Sequence, residues 1–350
     1  MKALIYKDVK KIILCDKEIP RCGPNDIVVR NKRSGICGSD IAAYLHGTMS
    51  SGVFPDREFG HEMVGVVHAR GENVVNIQKG SRVFINPNLA VEHPWDSDMA
   101  GAFSQYICIP NARLNQNVFL LPDTLAFDDA VLIEPFSVGT HGKNRPGIKP
   151  ENSVLIYGAG TIGLCVLNAL MAQGNKKVAI IDLSDKRLDI AQNMGAFPCN
   201  PDKDDIRSIL CRYFGEVPSK TPAIRVNGPE ITLIPATSLD IDAVIDCAGA
   251  PNVAADFLNM AKSGAILSCV AVHKKDVPLN FRQIMSTEAV IMGSRAYTTT
   301  DIQEVITNLD KRTTKVTDII THVFDLCDFE KAFETASNPN TAIKVVFNME

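Results

Sequence analysis

Residues Gly158-Ala-Gly-Thr-Ile-Gly163 constrain the fold of this chain more tightly than any other segment. They follow a short apolar run, Val154-Leu-Ile-Tyr157, and lead into a helical stretch from Thr161 to about Ala172 and a second run, Lys177-Val-Ala-Ile-Ile181. Strand, glycine turn, helix and strand in that order make a βαβ unit, which requires a parallel sheet. The alternation continues, with a helix over Asp185–Met194, a strand over Asp242–Asp246, a helix over Ala254–Ala261 and a strand over Ala265–Val270. The expected fold class is therefore α/β, with a doubly wound Rossmann sheet covered on both faces.

The glycine loop carries its own chemistry. The first glycine permits a tight turn, the second lets backbone N–H groups approach a pyrophosphate, and the third lets the helix pack close. The helix N-terminus meanwhile offers positive partial charge to the phosphates. Gly158, Gly160, Thr161, Ile162 and Gly163 are thus candidate dinucleotide contacts. A glycine loop that serves helix packing alone is the alternative, and Asp182 argues against it. It stands directly after the second strand, where a carboxylate accepts both ribose hydroxyls of NAD and repels the 2′-phosphate of NADP. Arg187 either lies over the adenine or is a solvated helix charge.

At 350 residues the chain suits two domains. Residues 1 to about 138 have a different texture, with short strand-like runs such as Ile27–Arg30, Val64–His68 and Arg82–Ile85 between turn residues. That spacing suits a β-rich unit. Residues 290–350, with a helix around Ile302–Leu309 and a last strand over Ala342–Phe347, are expected to return to it. The expected domains are 1–138 with 290–350, and 139–289.

In the β-rich region Gly35-Ile-Cys-Gly-Ser-Asp40 and Gly60-His-Glu62 bring a thiolate, an imidazole and a carboxylate into one stretch. Sulfur, nitrogen and oxygen donors suit zinc, which keeps a fourth position open in catalytic sites. Singly, Cys37, His61 and Glu62 are weak signals, because a lone cysteine is usually a buried small residue. A second carboxylate, Glu134, precedes Pro135 where the β-rich region gives way to the βα alternation.

Together with Gly80-Ser-Arg-Val83, Gly101-Ala-Phe-Ser-Gln-Tyr106 and Glu134-Pro135, these motifs resemble, in order and over essentially the whole chain, the zinc-dependent medium-chain alcohol dehydrogenases. The resemblance is greatest to their polyol branch, which includes sorbitol, threonine and butanediol dehydrogenases. It implies a GroES-like catalytic domain beside the Rossmann domain. It also implies Cys37, His61 and Glu62 as zinc ligands, with Glu134 either exchanging with Glu62 or accepting from zinc-bound water. Ser39 would hydrogen-bond the substrate oxygen, which makes Ser39, Glu62 and Glu134 the catalytic candidates. Zinc lowers the pKa of a bound hydroxyl towards about 7, as it does for water, and NAD would accept the hydride.

Two features depart from the resemblance. Many relatives carry four close-spaced cysteines for a structural zinc, whereas Asn86–Met99 contains none. One catalytic zinc and no structural zinc are expected, with His93 a loop residue. Many relatives also place a proton-relaying histidine where this chain has Ala42; Tyr44, His46 or a water chain are the alternatives.

A net charge of −4 without a basic run gives nucleic-acid binding or a membrane-surface role little support. No apolar stretch is long enough for a spanning helix, and ten scattered cysteines without a signal segment suggest reduced thiols in the cytoplasm. The polar stretch between Tyr213 and Leu239 contains Asn227-Gly228, a hairpin signal weakened by Pro229. Lys143, Arg145 and Arg295 are either partners for a charged substrate or surface cations.

The leading expectation is an NAD-dependent zinc dehydrogenase of a polyol or similar secondary alcohol, with a small-molecule partner and a homodimeric or homotetrameric state. Alternatives are a dehydrogenase of a sugar acid, sugar phosphate or hydroxy-amino acid, and a non-catalytic NAD-sensing module.

Overall fold

The structure, a computed structural model, describes residues 1–47, 52–90, 101–219, 223–227, 230–234, 236–311 and 318–350. It has two compact units, one of residues 1–135 with 302–350 and the other of residues 136–301.

The first unit is built on a seven-stranded sheet. Its path runs Ile320–Asp325, Lys344–Asn348, Ile27–Gly35, Glu62–Arg70, Arg82–Ile85, Val118–Leu120, with Tyr106–Ile109 also paired to Ile27–Gly35. Alternate residues along these strands, among them Ile27, Val29, Met63, Val67, Val83, Ile85 and Ile109, form one core, as the two-residue period of a strand requires. A second core holds Phe59, Phe103, Phe333 and Phe347. Phe59 and Phe103 meet edge to face at 4.9 Å, and Phe103 meets Phe347 at 5.4 Å. Each fully buried phenylalanine contributes about 1.5–3 kcal/mol. This cluster therefore holds the chain firmly just before Gly60-His61-Glu62.

The second unit contains a six-stranded sheet in the order Phe197–Cys199, Val178–Ile181, Val154–Tyr157, Ala243–Asp246, Ile266–Cys269, Val290–Gly293, all parallel. The strand order reverses between Val154–Tyr157 and Ala243–Asp246. Such a switch point is where a doubly wound sheet opens a crevice at its carboxyl edge. The helices Ile206–Phe214 and Val253–Met260 pack Leu210, Phe214, Val253 and Phe257 onto Leu155, Ala179, Val244 and Leu267.

Val290–Gly293, expected with the C-terminal return to the first unit, is instead the sixth strand of this sheet, paired to Ile266–Cys269. A short apolar run fits either sheet, and only pairing distinguishes them. In the polar stretch between Tyr213 and Leu239, where the hairpin signal is weakened by Pro229, Ala223–Asn227 pairs antiparallel with Glu230–Ile234, Asn227 opposite Glu230.

Candidate metal and dinucleotide sites

The metal cluster grows out of two adjacent strands and one helix of the first unit. Strand Ile27–Gly35 ends with Gly35 directly opposite Glu62. Two residues on, Cys37 precedes the helix Gly38–His46, and its backbone N–H donates to Asp40 Oδ2 at 2.9 Å. That bond closes the first helical turn and fixes the direction in which the thiol leaves the backbone. His61 and Glu62 follow the Gly60 turn, and Glu62 opens the strand Glu62–Arg70.

One ligand atom each from Cys37, His61 and Glu62 lies within 4.8 Å of the others. Among the described residues this is the one such group of metal-binding side chains. Glu134, buried in the first turn of the helix Ile133–Asn144, is outside that group. Ser39 is half-buried in the first turn of the helix that follows Cys37.

The electrostatics indicate what the cluster can hold. Burial depresses the proton affinity of His61, yet the negative charge of Cys37, a hydrogen bond to it, and the charges of Asp40 and Glu134 outweigh burial and raise it well above the ordinary value. Asp40, fully buried, is pushed up to about 6 by desolvation, against the opposing pull of His61 and the Cys37 N–H. Its Oδ1 has no hydrogen-bond partner. Anionic donors so placed call for positive charge, and a soft sulfur with a borderline nitrogen and a hard oxygen suits zinc. The residues therefore fit the metal.

The dinucleotide loop lies in the second unit. Gly158 has φ +93°, and a Cβ on Gly163 would fall 1.8 Å from the carbonyl oxygen of Gly158. The first glycine is needed for its left-handed backbone and the third for close approach of the helix. Gly160 caps the helix Thr161–Gln173, whose first turn contains Thr161, Ile162 and Gly163. Asp182 ties the loop together. Its Oδ2 accepts from Ala159 N at 2.7 Å and its Oδ1 from Ser184 N at 2.8 Å. Each oxygen keeps acceptor capacity for a ribose hydroxyl. The Arg187 guanidinium lies near Gly160, 3.7 Å from where a Cβ would stand.

The remaining candidates are placed as follows. Lys143 is buried and donates to Gln173 Oε1 at 2.6 Å, so it is neither a surface cation nor a free substrate partner. Arg145 and Arg295 are exposed. Tyr44 packs against Phe333 at 5.3 Å, and His46 is exposed at the end of its helix. Most of the Asn86–Met99 segment, with His93, lies outside the described residues.

Sequence reasoning missed Lys344. It is 2% exposed and makes an ion pair with Glu62 Oε2, while Glu62 is 1% exposed. A lysine inside the apolar run Ala342-Ile-Lys-Val-Val-Phe347 was the signal available, because a lysine buried in a strand needs a partner. Asp40 was legible only as part of a motif, since its burial depends on packing.

Comparison with known proteins places the chain in a family. The sequence profile of the alcohol dehydrogenase GroES-like domain matches residues 23–123, and that of zinc-binding dehydrogenases matches residues 161–311. The chain belongs to the zinc-dependent alcohol dehydrogenase family and is an oxidoreductase of that type. It is 29% identical to L-idonate 5-dehydrogenase of Vitis vinifera, over 95% of this chain and 90% of that protein. It is 28% identical to sorbitol dehydrogenase of Arabidopsis thaliana, again over 95% of this chain and 90% of that protein. An oxidoreductase/dehydrogenase of unknown specificity from Escherichia coli has the same fold, with a TM-score of 0.84 over 99% of this chain and 98% of that one, at 25% identity. The expected combination of a GroES-like domain with a parallel-sheet Rossmann domain is borne out. Among the described residues, no helix is long and apolar enough to cross a membrane.

Proposed function

We propose that this enzyme oxidises a secondary hydroxyl of a neutral polyol or sugar-like substrate, with NAD accepting the hydride and a single zinc held by Cys37, His61 and Glu62. The observation that carries this reading is the convergence of a thiol, an imidazole and a carboxylate, whose donor atoms lie within 4.8 Å of one another. When bound, zinc supplies a Lewis acid that acidifies the alcohol, and the nicotinamide supplies the hydride acceptor.

The chain's own residues have distinct tasks. Asp40 holds the Cys37 turn through the backbone N–H. Ser39, beside it, is assigned the hydrogen bond to the substrate oxygen. Glu134 is the reserve carboxylate, close enough for its charge to raise the proton affinity of His61. Backbone N–H groups of the Gly158–Gly163 loop, with Thr161 and Ile162 opening the helix, hold the pyrophosphate. Asp182 takes the ribose hydroxyls, and Arg187 covers the adenine.

Of the three cations that could meet a charged substrate, Lys143 is committed to Gln173, while Arg145 and Arg295 are exposed. An activity screen should set sorbitol-like polyols beside sugar acids, sugar phosphates and threonine. Turnover of the neutral compounds supports the proposal, and an absolute requirement for a charged group would replace it with the sugar-acid or hydroxy-amino-acid alternative.

The same proposal includes a homo-oligomer joined through the second unit. Val290–Gly293 is an edge strand, and Phe281 and Met285 beside it are 76% and 70% exposed. Unpaired edges with apolar neighbours are usually covered. Ten cysteines without a disulfide suit a reducing cytoplasm.

A further inference from the structure

The strands Val154–Tyr157, Ala243–Asp246 and Ile266–Cys269 end level with one another, Tyr157 opposite Asp246 and Asp246 opposite Cys269. Asp246, 1% exposed, thus stands at the middle of the edge from which the glycine loop and two neighbouring turns emerge. It holds both of those turns. Its Oδ1 accepts from Ala248 N at 3.0 Å and Gly249 N at 2.8 Å, in the turn that follows it. Its carbonyl oxygen accepts from Val270 N at 3.0 Å and Ala271 N at 2.9 Å, at the root of the next turn. Its Oδ2 lies 2.7 Å from His273 Nε2, at the far end of that turn. A carboxylate only accepts, so Nε2 carries the proton.

The turns also touch one another. A Cβ on Gly158 would fall 3.1 Å from Ala248 N, and one on Gly249 would fall 3.2 Å from Val272 O. The dinucleotide turn therefore rests on the turn after Asp246, and that one on residues 270–273. Packing does little to fix the far end of the last turn. Val272 is 85% exposed, and residues 273–277 border a cavity of about 360 Å³ whose other walls include Asp246, Leu267 and Cys269. The bond from His273 to Asp246 is what ties that end down.

We infer that His273 is a positioning residue for the hydride-accepting half of the cofactor, holding the 270–273 turn in its binding shape through Asp246. This rests on the assignment of Gly158–Gly163 and Asp182 to the dinucleotide. Asp182 follows the strand Val178–Ile181, on one side of the glycine loop. A dinucleotide laid across the switch point then has its other half over Ala243–Asp246 and Ile266–Cys269, beside the turn that His273 ties. A hydrogen bond to an ionised carboxylate is about twice as strong as a neutral one. Without it Asp246 Oδ2 loses that donor and the turn is free to shift towards the cavity, while the adenosine side is untouched.

The test is calorimetric titration of NADH, and of ADP as a probe of the adenosine and pyrophosphate alone, into wild type, His273→Leu and His273→Gln. The expected result for His273→Leu is NADH affinity lowered by at least about tenfold, the effect of one lost hydrogen bond to a charged group, with ADP affinity unchanged. His273→Gln, whose amide N–H can stand where Nε2 stood, should recover most of the loss. A histidine that serves stability alone would weaken both ligands together or neither. Equal loss for NADH and ADP, or NADH affinity unchanged in His273→Leu, overturns the inference. Should His273→Leu not fold, His273→Asn, too short to reach Asp246, carries the same prediction. Wild-type protein that binds neither NADH nor ADP would refute the dinucleotide assignment itself, a separate outcome.

Discussion

Replacing Asp182 with Asn should reverse the cofactor preference while weakening the loop that presents the cofactor. The carboxylate has two observed duties, accepting from Ala159 N at 2.7 Å and from Ser184 N at 2.8 Å. Asparagine offers one acceptor oxygen, so one of these N–H groups loses its partner and faces an NH2 group. An unmade buried hydrogen bond of this kind costs about 1–3 kcal/mol of stability. For NADH, losing a charge-assisted bond to the ribose costs about 1.5–3 kcal/mol, or roughly 10- to 150-fold in affinity. For NADPH the variant removes a repulsion of about 4 kcal/mol per unit charge at 4 Å with an effective dielectric constant near 20. The ratio of NADPH to NADH dissociation constants should therefore fall by at least about 100-fold. Fluorescence titration of both reduced cofactors, with a thermal melt on the same samples, reads all three effects. A wild type that prefers NADPH, or a variant with an unchanged ratio, refutes the role given to Asp182.

Other expectations follow from single contacts. Gly163→Ala places a methyl 1.8 Å from the Gly158 carbonyl oxygen; the helix must move, so NADH binding should be lost with a drop of several degrees in Tm, read by titration and calorimetry. In zinc-free protein Asp40 is pushed up to about 6, above its unfolded value. Its contribution to stability is then fully present below the unfolded value, and is lost as pH rises through about 6. Asp40→Asn should therefore gain about 3 kcal/mol over wild type at pH 8, with the advantage gone below about pH 4, by urea denaturation. Met285→Asp with Val290→Lys should shift light-scattering mass to the monomer, and an unchanged mass would reject the proposed interface.

Much of the second unit was legible because its signals are local. The Val154–Tyr157 strand, the glycine loop and the Thr161–Gln173 helix follow one another without help from distant residues. What failed depended on partners far along the chain. Val290–Gly293 joined the parallel sheet because Ile266–Cys269 offered an edge, a fact no periodicity contains. Lys143, expected as a surface or substrate cation, is buried against Gln173. Lys344 could be related to Glu62 only once both flanked Gly35 in adjacent strands. The cysteine, histidine and glutamate were visible as residue types, but their convergence required the Gly60 turn and the aromatic packing around Phe59 and Phe103.

The most direct measurement is X-ray absorption at the zinc edge of the purified enzyme, with metal content determined on the same sample. The account predicts one zinc per chain with a single sulfur neighbour near 2.3 Å and nitrogen or oxygen neighbours at about 2.0–2.2 Å, the sulfur signal vanishing in Cys37→Ser. A sulfur-only shell, or a wild-type spectrum unchanged by that substitution, would contradict it.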